Sequence, residues 1–171
     1  MSSNIKPHIK RGILVIFIIF VSLLQFTGGA LQSFFGVGIL YLIPAVICIS
    51  MFQGEIVSMC CGLLAGLIWD LVSAQSTCFH AVFLTVTAFL VSFIIQRRVR
   101  NFLISSLILN GAALFLHNIL YWIFYVLSRK ASGSFIALIK FYMPSFLITL
   151  AVSIPVYFIV RAIHNGFRKM A

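Results

Sequence analysis

Apolar runs of roughly bilayer length follow one another through this chain, and no polar stretch between them exceeds a loop. A hydrocarbon core of about 30 Å takes about 20 apolar residues as a helix. Inside it the backbone polar groups must be satisfied by the protein itself, which a helix does within its own segment. With 63% hydrophobic and 8% charged residues, the composition lies far from that of soluble domains. The expected fold class is all-α, a polytopic membrane helical bundle of about six transmembrane helices. It forms a single integral membrane domain over residues 1–171. The runs leave no room for a soluble catalytic domain.

Spans are expected near residues 12–29, 39–52, 54–73, 78–95, 102–127 and 141–160. The first is read as an uncleaved helix. Gln25, near its end, either bonds another helix or lies at the interface. Residues 31–38 read as an external turn or a re-entrant half-helix. The second span is short and interrupted by Pro44, so it begins earlier or is kinked and shielded by neighbours. In the fifth, Asn110, Ala113, His117 and Tyr121 share one helix face. That face is read as hydrogen-bonded toward the bundle, with a proton or substrate path as the alternative. In the sixth, Ser145, Thr149 and Ser153 form a small-residue face. Pro144 falls in the first turn, where proline is tolerated, and Pro155 is expected to kink the far end.

The stretch from Gly54 to Asn101 holds both acidic residues, Glu55 and Asp70, and the densest basic cluster, QRRVRN. Gly54, Ser58, Gly62 and Gly66 recur every four residues, with Asp70 the next step. Such a face lets another backbone come close. Asp70 ends it, among apolar residues, where a carboxylate is expensive and is normally turned inward. The polar run SAQST follows as a turn, and His80 lies within reach across it. A Ser73/His80/Asp70 set can be drawn on paper. The plainer reading is that Asp70 caps the turn or bonds its backbone.

Recognisable catalytic or nucleotide-binding motifs are absent, and no catalytic residue, metal site or cofactor is expected. Cys48, Cys60, Cys61 and Cys78 form no CxxC pair and read as small buried hydrophobes.

The formal net charge is +10. The cations sit at span ends, so topology and lipid headgroups explain them, and nucleic acid is not an expected partner. Six spans put both termini on one side. Lys6, Lys10, Arg11, Arg97, Arg98, Arg100, Arg161, Arg168 and Lys169 then share that side, and Arg129, Lys130 and Lys140 lie on the other. Nine against three places both termini in the cytoplasm.

The segment GLLAGLIWDLVS, residues 62–73, followed by Phe79-His80-Ala81 and QRRVRN, resembles the bacterial rod shape-determining MreD family. That family is similar in its G-x3-G-x3-D-x2-S pattern, its turn and its basic helix end. Gln25, the Gly54-Glu55 pair, Pro144-Ser145 and Pro155 agree with it, whereas Cys78 and Thr149 depart from it. The resemblance implies a non-enzymatic scaffold of cell elongation and peptidoglycan synthesis in the bacterial plasma membrane. Its implied partners are an MreC-like protein and, directly or indirectly, RodA with its transpeptidase and the MreB-like cytoskeleton. Membrane lipids are partners by necessity, and self-association is left open. The residues implied to act in structure or partner contact are Gly62, Gly66, Asp70, Ser73, His80, His117, Pro144, Ser145 and Pro155. The family is also similar to substrate-binding subunits of energy-coupling-factor vitamin transporters, which gives the alternative function. The first span, GILVIFIIFVSLLQFTGG, lacks the AxxxA coupling face such a subunit should carry.

The charge count gives a topology test. A cysteine at Val99, in a background without the native cysteines, is expected to resist a membrane-impermeant thiol reagent applied to whole cells. Labelling from outside would overturn the assignment.

Overall fold

The computed structural model describes residues 5–27, 38–73, 78–97, 102–127 and 143–169. They form α1 (Ile5–Thr27), α2 (Leu42–Phe52), α3 (Glu55–Val72), α4 (Phe79–Arg97), α5 (Leu103–Tyr121) and α6 (Met143–Lys169). A π-helical turn, Trp122–Leu127, continues α5. No strand occurs among the described residues. The fold is an all-α helical bundle. Among the described residues four helices are long and apolar enough to cross a membrane: α3, α4, α5 extended to Phe124, and α6 up to Gly166. The expected turn at 31–38 except Gly38, SAQST except Ser73, most of QRRVRN and the SRKASGS loop lie outside the described residues.

The centre of the bundle is α2. Every residue from Leu42 to Met51 is buried, and α1, α3, α4, α5 and α6 all pack against it. It is the shortest α-helix among the described residues, with 11 residues, or about 16 Å at about 1.5 Å per residue. Its entering end therefore falls well inside the thickness of the surrounding helices, while its other end, at Gln53-Gly54, comes level with the start of α3 and the end of α4. Being apolar on every side is the signature of a helix enclosed by others. Pro44 does not interrupt it. The proline occupies the first turn, where the helix needs no donor from it, so the expected break is absent.

The backbone groups at the two ends of α2, the first of them buried, are taken up by neighbouring side chains. The Leu42 N–H donates to Gln25 Oε1 of α1 at 2.9 Å. The Leu40 N–H donates to Thr149 Oγ1 of α6 at 3.2 Å, and Ser145 Oγ donates to the Gly38 carbonyl at 2.5 Å. At the other end the Gln53 carbonyl accepts from Ser92 Oγ at 2.8 Å and Gln96 Nε2 at 3.2 Å, both on α4. Midway, Cys48 Sγ lies 3.6 Å from Ser106 Oγ and 3.9 Å from Asn110 Nδ2 of α5. The Ser145/Thr149/Ser153 face of α6 is buried as its spacing predicts.

These contacts also sort the helix ends. Arg11, Glu55 and Gln96 line one hollow, and Phe52 packs its ring 5.1 Å from that of His164. The starts of α1 and α3 and the ends of α2, α4 and α6 thus share one end of the bundle. The first and last helices therefore begin and finish at the same end. Pro155 lies inside α6, which runs unbroken to Lys169, beyond the expected end near residue 160.

Gln25→Leu removes the acceptor of a buried backbone donor. It is expected to destabilise the bundle by about 1–3 kcal/mol, measured as a loss of thermal unfolding temperature in detergent. Unchanged unfolding would mean that α2 does not depend on that bond.

Candidate functional site

The helices α3 and α4 form the most intimately packed pair among the described residues, and the reason is the small face of α3. Ser58, Gly62, Gly66 and Asp70 are all buried. A methyl group built on Gly62 would fall 2.5 Å from the Leu84 carbonyl oxygen and 2.9 Å from the Ala88 methyl. One on Gly66 would fall 2.6 Å from the His80 carbonyl oxygen and against the Ala81 Cα. Backbone touches backbone at both positions, so glycine is required by space alone. Gly54 does not belong to this face. It is exposed, has open space around it and stands at the N-cap of α3. The stripe drifts around the helix by about 40° per step, and its first member has turned away from α4.

Asp70 finishes the face and starts the neighbouring helix. Its Oδ1 accepts from the His80 N–H at 3.2 Å and lies 2.7 Å from His80 Nδ1. Its Oδ2 accepts from the Ala81 N–H at 2.8 Å. These two N–H groups belong to the first turn of α4, whose donors have no partner inside the helix. A carboxylate there satisfies them and complements the positive end of the helix dipole. The cap comes from a different helix, ten residues earlier in the chain. With a carboxylate as partner, Nδ1 of His80 is assigned as the protonated nitrogen.

The imidazole of His80 is held from a second side. The Trp69 ring stacks on it at 4.2 Å with an interplanar angle of 14°. His117 of α5 lies 5.6 Å from both rings, 5.1 Å from Phe83 and 5.9 Å from Tyr121. Asp70, His80 and His117 therefore meet in one buried aromatic cluster built by α3, α4 and α5. Tryptophan at 69 and phenylalanines at 79 and 83 belong to it, yet they follow no chemical spacing that marks them beforehand. The one available signal is that Trp69 adjoins Asp70, the carboxylate that lies away from the start of the span.

Ser73 is not brought to His80. Its hydroxyl donates to the backbone carbonyl of Asp70 at 3.4 Å. The Ser73/His80/Asp70 arrangement drawn from the sequence is thus not assembled as a nucleophile, base and orienting acid. Pro144, Ser145 and Pro155 lie on α6, which packs on α2 and α5, and Ser145 serves Gly38. The Asn110 face of α5 is buried, but it is not fully satisfied. Asn110 Nδ2 donates to the Ser106 carbonyl at 2.9 Å, while its Oδ1 has no partner among the described residues. Both ring nitrogens of His117 also lack a hydrogen bond there, at 4% exposure.

Of the cysteines, Cys48 and Cys61 are buried as expected, while Cys60 and Cys78 are exposed on the outside of the bundle; all four are free. No group of three or more potential metal ligands occurs among the described residues.

Asp70→Leu leaves the His80 and Ala81 donors unpaired, at about 1–3 kcal/mol each. Asp70→Asn keeps one acceptor but turns an NH₂ toward another donor, so it is expected to lose about one such bond. Thermal unfolding should rank wild type above Asn and Asn above Leu. Equal unfolding for all three would show that the cap does not hold α4.

No known protein family, no curated protein and no solved structure matches this chain.

Proposed function

We propose that this chain is a non-enzymatic scaffold of the bacterial cell-elongation machinery, similar to MreD. It would sit as a multi-pass protein in the plasma membrane, with the basic end of the bundle in the cytoplasm and an MreC-like protein as direct partner. The observation that supports this reading is the use made of the motif at residues 62–73. Gly62 and Gly66 seat α4 by direct backbone contact, and Asp70 caps it through His80 and Ala81. The motif that carries the resemblance builds one rigid two-helix unit. A protein whose most distinctive residues set the spacing of two helices offers its partners a fixed shape. Cations gathered at one end are consistent with a cytoplasmic face.

The test is co-purification from a rod-shaped bacterium with the chain tagged at native expression. An MreC-like protein is expected in the eluate, and depletion of the chain is expected to turn rods into spheres. Recovery of a pair of ATPases with normal cell shape would replace this reading with the transporter subunit.

A further inference from the structure

Arg11 of α1, Gly54 and Glu55 at the start of α3, and Gln96 near the end of α4 open onto one hollow of about 590 Å³. That volume falls within the range of small-molecule sites, about 300–1,000 Å³. The remaining wall is apolar and includes Val15, Ile56, Cys60 and Leu64. From Ile56 to Leu64 it climbs α3 for about 12 Å at about 1.5 Å per residue. The hollow thus has a polar mouth at the basic end of the bundle and an apolar flank running up an outer face.

Its charges are unusual in being opposite and unpaired. Arg11 and Glu55 share the hollow, yet neither has an ion-pair partner among the described residues. Glu55 is one of only two acidic residues in the chain. Gln96 is fixed by its amide nitrogen, which donates to the Gln53 carbonyl and to Ser92 Oγ. That leaves its Oε1 without a partner among the described residues, in a side chain that lines the same hollow as Glu55. The site therefore offers one guanidinium suited to a phosphate. Beside it stand two acceptors suited to an N–H cation.

We propose that this hollow binds a phospholipid whose headgroup carries both a phosphate and a primary ammonium, with an acyl chain along Ile56, Cys60 and Leu64. Arg11 takes the phosphate. Glu55 and Gln96 Oε1 take the ammonium. A trimethylammonium headgroup has no N–H to donate, and a glycerol headgroup has no cation to set against Glu55. Both should bind less well than phosphatidylethanolamine. The assignment does not depend on the scaffold reading.

Native mass spectrometry of the purified full chain tests it. The probes are phosphatidylethanolamine, phosphatidylcholine and phosphatidylglycerol with identical acyl chains, and soluble phosphoethanolamine. Phosphatidylethanolamine is expected to be retained about fivefold better than the other two lipids, the upper range for a charge pair at a water-accessible site. Glu55→Gln should abolish that preference, and Arg11→Gln should weaken all three lipids, with the helical circular dichroism of both variants unchanged. Equal retention of the three lipids, or a preference that survives Glu55→Gln, overturns the proposal. Displacement of the lipid by equimolar phosphoethanolamine overturns the lipid assignment.

Discussion

A backbone that ends inside an apolar medium has nowhere to find water, and α2 begins there. An unsatisfied polar group in that setting costs several kcal/mol. The polar side chains of the surrounding helices are distributed accordingly. Gln25, Thr149 and Ser145 serve the segment entering α2, and Ser92 and Gln96 serve the segment leaving it. Three different helices contribute. Each is thereby fixed in rotation about its own axis, because its polar residue must face inward at one height. The apolar packing around α2 supplies area but little direction. The hydrogen bonds supply the register.

The same economy governs the α3–α4 pair. Glycines bring the two backbones into contact, and the first turn of α4 carries N–H donors that have no partner inside the helix. Asp70 supplies the acceptors from α3. Close approach and capping depend on each other. A residue larger than glycine at position 66 would push His80 and Ala81 away from the carboxylate that bonds them. The Trp69 ring, stacked on His80, closes the side of the pair that faces α5.

The sequence shows some of this and hides the rest, for physical reasons. Span positions follow from runs of apolar residues, and their limits agree with the helices to within a few residues for α3, α4 and the start of α6. The buried face of Ser145, Thr149 and Ser153 is legible because only one side of α6 is polar. So is the approach at Gly62 and Gly66. The central place of α2 is not legible, since a helix apolar on all sides has no pattern to say which side faces lipid. Pro44 reads as an interruption only because the start of the helix is hidden by apolar residues on both sides of it. Gln25 is visible as a polar residue in a span, but its partner is a backbone donor, which every residue carries. The π-helical turn after Tyr121 has no side-chain signature at all. At the site, Asp70 and His80 are legible from their spacing across a turn. The meeting of His117 with them depends on how α5 lies against α3 and α4, and that contact is set by α2.

An enclosed helix of 11 residues raises a question of assembly. It is too short to be retained in a bilayer as a span in its own right, and its entering donor is satisfied only when α1 and α6 are in place. The last of these is made at the far end of the chain. During synthesis α2 must therefore wait, held beside α1 or α3, until the final helix arrives to close around it. The bundle is completed from its C-terminal end inward, and a chain released before α6 would leave its own centre exposed to lipid.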